Sequence, residues 1–440
     1  MGLAETIRDA GVVGAGGAGF PTHIKAQSKA KIVLANGAEC EPLLRVDRLM
    51  MEHYPEKVVA GLSAMVNAVG AREGVLCVKK KYTEAIEALT GAIKDKSNIR
   101  LYPLDNYYPA GDEQQIVYEV TGQVVPTGGI PLDVGAVVCN VSTLINITEA
   151  MEGRPVTDKY LTVGGEVERP VTLRVPIGTP YGALIAAAGG PDTLERHTLI
   201  IGGPATGTLC RDADETVTKT TGGILVFPSD HPLIRQKTDS GDMDLKLTKA
   251  ACSQCTLCTD MCPRNALGLG VEPHKAMRAA FMGQGSLLTD ANGVFSCCDC
   301  GLCTYYACNF GLKPSRMMVR MKDALIKGGM KPEKRVKTRV TPDFVKVPTG
   351  RLMARMGITG YDVDTAFFDR GLPIGSVRIP LKMHIGAPSV PVVKEGDMVQ
   401  RGQLIAEIPE GALGARIHAS IAGRVSSVTD THIGIKGEAS

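Results

Sequence analysis

Nine of the chain's thirteen cysteines fall between Cys252 and Cys308, and their spacing limits what this stretch can become. They form two runs: Cys252-x2-Cys255-x2-Cys258-x3-Cys262, followed by Pro263, and Cys297-x2-Cys300-x2-Cys303-x4-Cys308, with Cys298 left over. Three thiolates spaced in this way on one tight loop wrap three corners of an iron–sulfur cubane. A tetrahedral zinc site takes two CxxC pairs separated by a longer loop, which two runs of three do not match. The opening residues, MGLAETIRDAG, have neither a basic stretch nor an apolar core, so no secretory signal is expected. The cysteines therefore read as metal ligands in a reducing compartment rather than as disulfides. Cys40, Cys77, Cys139 and Cys210 are scattered and read as small core residues.

The first run resembles that of bacterial two-cluster ferredoxins, whose fourth cysteine, just before a proline, serves the other cluster. The resemblance implies two 4Fe–4S clusters with crossed ligation. Cluster one would take Cys252, Cys255, Cys258 and Cys308; cluster two would take Cys297, Cys300, Cys303 and Cys262. The second run departs by one extra residue before Cys308 and by Asn309 in place of proline. Cys297 keeps the first run's spacing, and beyond that spacing Cys298 stays open as the alternative ligand.

Around this module the apolar pattern predicts a multidomain α/β chain. Over 1–153, buried-strand runs at Lys31–Asn36, Gly74–Val78 and Val134–Asn140 alternate with helical stretches at Pro55–Val69 and Tyr82–Lys94, which predicts a largely parallel sheet. Over 154–235, strands at Tyr160–Val167, Val171–Val175 and Ile224–Phe227 surround a helix near Ala183–Ala188, as in a small α+β domain. The cysteine module occupies 245–330. A basic connector over 331–379 follows, continuing a stretch with ten Lys and Arg from Lys313 to Arg339; it reads as a solvated helix face running into a linker, with a docking surface for an acidic partner as the alternative. The tail, 380–440, alternates apolar and polar residues between glycine turns and reads as an all-β module. Its wording, KMHIGAPSVPVVKEGDMVQRGQLIAEI, resembles the barrel-sandwich domains that carry biotin or lipoate. Those domains present a lysine at a hairpin tip, whereas Gly411–Ala415 has none, so a structural role is expected.

Gly14-Ala15-Gly16-Gly17-Ala18-Gly19 contains the GxGxxG pattern of dinucleotide sites. A helix, not a strand, is expected to lead into it, and Phe20-Pro21 delays the helix that should follow, so the pattern alone is weak evidence for a Rossmann site. The longer strings GAGGAGFPTHIK, NGAECEP, YPAGDEQQ, VPTGGIPLDVGAVVCNVST, RVPIGTP and LIIGGPATG decide the matter. They resemble the flavin site of the RnfC-like family of flavo-iron–sulfur proteins, related to the NADH-oxidising 51-kDa subunit of complex I. The C-terminal position of the barrel-sandwich module is similar to that in the PduS cobalamin reductases of bacterial microcompartments.

That resemblance implies FMN on the first domain, a β-grasp (SLBB-like) second domain of unassigned ligand, and NADH as substrate. The backbone of Gly14, Gly16, Gly17 and Gly19 would approach FMN. Lys25 would pair with it, and Asn36, Glu39 and Asn140 would hydrogen-bond its ribityl chain or ring edge. Phe20 would stack on the nicotinamide or adenine, and Glu41 and Glu113 would hold NADH hydroxyls. Ala15, His23 and Ala38 replace the Arg, Gly and Asp of the complex I pattern, which bears on NADH rather than on flavin. The implied activity is electron transfer from NADH through FMN and both clusters to cob(II)alamin, with no catalytic acid–base side chain required. The alternative is a relay or scaffold subunit that binds no NADH. Implied partners are cobalamin or a cobalamin adenosyltransferase, with microcompartment shell or enzyme proteins, in a cytoplasmic microcompartment. A formal charge of +3 and the lack of any long apolar run predict neither nucleic acid nor a membrane span.

Overall fold

The computed structural model describes residues 2–282, 291–335 and 341–437. In the first domain, strands β1 (Ile32–Gly37), β2 (Glu73–Lys79) and β3 (Ile99–Leu104) precede a two-residue strand, β4 (Tyr107–Tyr108), and β5 (Ala136–Asn140). Four of them form a sheet in the order β3-β2-β1-β5, every pair parallel, as expected. The strands are near-continuous apolar runs because both faces are covered. Val33 and Ala35 share an apolar cluster with helices α1 (Leu3–Asp9), α2 (Thr22–Ala26), α3 (Val46–His53), α4 (Pro55–Val69), α5 (Thr83–Ala92) and α7 (Val141–Met151). Ile32 and Leu34 face α6 (Glu113–Thr121) on the other side. Gly61 lets α4 cross α7 closely, since a Cβ there would lie 2.1 Å from the Leu144 carbonyl oxygen. Cys77 and Cys139 are core residues, but Cys40 and Cys210 are only half-buried.

The second domain is a six-stranded mixed sheet with the helix Tyr181–Ala187 packed on it. Strands β6 (Asp158–Gly165) and β7 (Val171–Pro176) form its antiparallel hairpin. An unforeseen edge strand comes from the connector: Ala366–Phe368 pairs parallel with β7. Val347–Pro348 likewise pairs with β4, and the helix Thr349–Met356 buries Leu352, Met353 and Met356 against Tyr108 and Tyr305. The expected solvated linker is thus woven into two domains. Strands this short carry no period-two signature, which is why the sequence pattern misses them. Lys337 and Arg339 of the basic stretch lie outside the described residues.

The cysteine module is built of helices, among them Pro273–Met282 and Pro314–Lys327, around Leu267, Val271, Met277, Met317 and Met318. The C-terminal module has two small antiparallel sheets and opens with the strand Ser376–Pro380, paired with His432–Lys436. Its core residues Ile379, Ile433 and Ile435 belong to the same apolar cluster as α4 and α7, so it packs on the first domain.

Candidate functional site

The chain runs from β1 to β2 to β3 in one direction, then returns to place β5 on the other side of β1. That reversal opens a crevice at the carboxyl ends of β1 and β5, where open parallel sheets take ligands. Asn36 and Asn140 stand there as register partners. The glycine loop lies over them, closed by a Val13–Pro21 bridge and by a bond from the Gly14 amide to the Phe20 carbonyl at 2.9 Å. The Ala15 amide donates to Thr143 Oγ1, and Lys159 Nζ donates to the Ala15 carbonyl, both at 2.9 Å. Between these anchors Gly16, Gly17 and Ala18 present exposed backbone.

The glycines are there for different reasons. A Cβ at Gly16 would come within 2.7 Å of Asn140 Nδ2, whereas one at Gly17 would meet nothing. Gly19 has a φ of +73°, and a Cβ there would press at 3.0 Å on Met383 and His384 of the C-terminal module. Its glycine serves a domain contact, which is a reason other than the expected approach to FMN.

Other residues implied by the resemblance are brought to this crevice with their polar atoms partly committed. Asn36 Nδ2 donates to the Gly111 carbonyl at 2.9 Å. Asn140 caps α7 through Ser142 and donates to Asp47 Oδ2 at 2.7 Å. Lys25 Nζ donates to the Val138 carbonyl at 2.7 Å and lies 6.0 Å over the Phe20 ring. Glu39 accepts from the amides of Asp47 and Arg48 at 2.8 and 3.1 Å, satisfying the start of α3. Burial, then the nearby Asp47, pushes the Glu39 carboxyl up to about 7. Asp47 is itself raised by burial, and burial pushes Lys159 down to about 8 against the pull of Asp47.

Glu41 and Glu113 stand apart from this group. Glu41 accepts from the Ala205 amide at 2.9 Å, the Thr206 amide at 3.2 Å and Thr206 Oγ1 at 2.8 Å. These three bonds commit its carboxylate to the β-grasp domain. Glu113 is exposed as the first residue of α6.

The cysteines surround two cavities that mix the runs. One is lined by Cys252, Cys255, Cys258 and Cys308, with His274 and Phe310 at its edge. The other is lined by Cys262, Cys297, Cys298, Cys300 and Cys303, together with Arg264. Among the described residues, no three His, Cys, Asp or Glu side chains are placed to hold a single ion. The loops share their backbone form. Gln254 and Thr256 flank Cys255 with φ of 58° and 65°, and Asp299 and Gly301 flank Cys300 with 53° and 72°. That match aligns Cys297 with Cys252 and Cys298 with Ser253. The extra residue of the second run is absorbed by a π-helical turn over Cys303–Ala307. Cys255 is exposed and Phe310 is 55% exposed, so the first cavity lies near the surface.

The second cavity touches the segment that bonds Asn36. Tyr108 OH donates to the Cys300 carbonyl at 2.7 Å, and buried Arg264 forms two 2.5 Å bonds to Asp112. Asp47, Tyr108, Asp112, Lys159 and Arg264 were not singled out from the sequence. Tyr108 and Asp112 do fall in or beside the string YPAGDEQQ, the one local signal that could have marked them. A further cavity, about 410 Å³, borders the glycine loop at Ala15 and is also lined by Arg154, Lys159, Arg174 and Arg401. Among its lining residues are neither Asn36, Asn140 nor any cysteine.

Comparison with known proteins follows this division. Residues 7–149 match the Nuo51 FMN-binding domain, 160–207 the SLBB domain, 251–313 the 4Fe-4S dicluster domain and 370–439 the RnfC barrel sandwich hybrid domain. The cobalamin reductase PduS of Citrobacter freundii is 41% identical over 98% of this chain and 95% of its own length. That of Salmonella typhimurium is also 41% identical, with the same coverage of both chains. A component of the Na(+)-translocating ferredoxin:NAD(+) oxidoreductase complex of Acetobacterium woodii is 38% identical over 59% of this chain and 57% of its own. Among solved structures, the NAD+-reducing [NiFe]-hydrogenase in its H2-reduced state aligns with a TM-score of 0.47 and 21% identity, over 75% of this chain and 63% of that one. No helix among the described residues is long and apolar enough to cross a membrane.

Proposed function

The chain belongs to the PduS cobalamin reductase family of flavo-iron–sulfur oxidoreductases, and from that premise we propose that it carries electrons from NADH to cob(II)alamin. FMN, when bound, supplies the conversion of a two-electron hydride into single electrons, which the two 4Fe–4S clusters carry onward. The exposed backbone of Gly16 and Gly17, with Asn36 and Asn140 below it and Lys25 beside it, would hold the flavin at the crevice. Phe20, half-buried at the end of the glycine loop, would supply the stacking face for the nucleotide, and exposed Glu113 the carboxylate for its ribose. Cys252, Cys255, Cys258 and Cys308 would hold cluster one, and Cys262, Cys297, Cys300 and Cys303 cluster two; the matched loops favour Cys297 over Cys298.

The observation that carries this reading is the loop 108–112. Its Gly111 carbonyl accepts from Asn36 in the crevice, while its Tyr108 and Asp112 bond to Cys300 and Arg264 around the second cavity. One short segment would thus join the electron donor's site to that of the first acceptor. Delivery to cobalamin, free or on an adenosyltransferase, within a microcompartment, completes the proposal.

A second reading, a relay that binds no NADH, is favoured by the committed carboxylate of Glu41. Anaerobic stopped-flow mixing of the full chain with NADH separates the two. Flavin bleaching followed by cluster reduction supports the dehydrogenase. A flavin that stays oxidised, beside clusters that dithionite still reduces, supports the relay.

A further inference from the structure

Arg264 and Asp112 form a buried ion pair, their side chains 8% and 7% exposed, in a place where neither helps its own element. Asp112 stands at the N-terminus of α6, yet its side chain makes no capping bond there. It receives the Arg264 guanidinium instead, through Nε and one terminal nitrogen. Arg264 follows Cys262-Pro263, and its other terminal nitrogen lies 3.4 Å from the carbonyl of Ser296, the residue before Cys297. Desolvating two charges makes such a pair a poor stabiliser beside well-packed apolar residues, so stability does not account for it. Its orientation is the informative part. Arg264 lines the cavity of Cys262, Cys297, Cys300 and Cys303, and Asp112 does not. Asp112 lies on the crevice side, next to Gly111, whose carbonyl is bonded to Asn36.

We infer that the Arg264–Asp112 pair raises the reduction potential of cluster two and so makes it the first acceptor of electrons from the flavin. Accepting one electron adds one negative charge to whatever the cavity holds. A buried guanidinium at the cavity wall stabilises that charge in a medium of low dielectric, and Asp112 behind it moderates the effect. The cavity near the surface, on the Cys255 and Phe310 side, has no Lys or Arg among its lining residues. The first acceptor is therefore held above the potential it would otherwise have, and the surface cluster delivers outward. This rests on the proposed ligand sets.

The test is an anaerobic EPR-monitored redox titration of the full chain with both clusters built. Arg264→Met should move one cluster's midpoint to lower potential and leave the other in place, and Arg264→Lys should restore most of the shift. Asp112→Asn, which leaves the guanidinium uncompensated, should move the same cluster the opposite way. The signal that moves should be the one altered in Cys262→Ser. Unchanged midpoints in all three variants would overturn the inference, as would shifts of the same sign in Arg264→Met and Asp112→Asn, or a shift in the other cluster's signal. A wild-type chain that builds only one cluster would instead refute the ligand sets, and the inference with them.

Discussion

Asn36 and Asn140 are register partners at the carboxyl ends of adjacent parallel strands, and each is held by a different neighbour, Gly111 and Asp47. The crevice proposed for the flavin is therefore held from two sides by the chain's own bonds. A substitution that displaces either amide should be felt in flavin content first.

Gly16→Val is the sharpest such change. Its Cβ would press within 2.7 Å of the Asn140 amide nitrogen, so Asn140 must give up Asp47 or its cap of α7. The expected product is flavin-free but still brown, read from absorbance and FMN release after anaerobic reconstitution. Gly17→Ala, which meets open space, should keep FMN. Normal flavin in Gly16→Val would take the loop out of the site.

The cavities predict about eight iron and eight acid-labile sulfides per chain. Cys262→Ser should alter the cluster signal that Cys303→Ser also alters, and Cys308→Ser the signal that Cys258→Ser alters. Cys298→Ser should leave both signals intact. Grouping of the EPR changes by run, rather than across runs, would refute the crossed arrangement.

Glu41 and Glu113 should part company. Glu113→Gln should weaken NADH binding and narrow the preference over NADPH, because a carboxylate beside a 2′-phosphate costs roughly 1–4 kcal/mol at intermediate dielectric. Glu41→Gln should instead loosen the β-grasp contact, lowering stability by about 1–3 kcal/mol with NADH affinity little changed. Flavin-reduction titrations and thermal unfolding read the two effects separately. A fall in NADH affinity with unchanged stability in Glu41→Gln would return Glu41 to the nucleotide site.

Buried Lys219 donates to the carbonyls of Gly11 and Arg416, both at 2.6 Å, and burial pushes its pKa down to about 7. The unfolded chain, with a lysine near its ordinary value of about 10.4, then holds a proton that the folded chain has lost. Stability from this group rises with pH between those two values, by at most about 1.4 kcal/mol per unit, and is flat below about 7. Lys159 and Lys237, also lowered by burial to about 8, add slopes of the same sign. Urea midpoints at pH 7.5 and 9.5 should show a smaller rise for Lys219→Met than for the unaltered chain; equal rises would contradict the assignment.

Cysteine spacing, the glycine loop and the β–α alternation were legible in the sequence because each is local. A loop can wrap a cubane only if its thiolates sit at set intervals, and a strand covered on both faces must be apolar throughout. The expected strands over Lys31–Asn36, Gly74–Val78 and Val134–Asn140 all appear, displaced by no more than two residues at either end. What stayed illegible depends on residues far apart in the chain. Two- and three-residue strands turn the connector into part of two sheets, and Glu41 is claimed by Ala205 and Thr206. Cys262 shares its cavity with the second run, and Arg264 finds Asp112 across a domain boundary. No local pattern encodes those pairings, because which buried charge or thiol meets which partner is settled by how the domains pack. Local spacing sets the kinds of cofactor site this chain can build; domain packing sets which flavin loop faces which cysteines, and with it the path an electron would take.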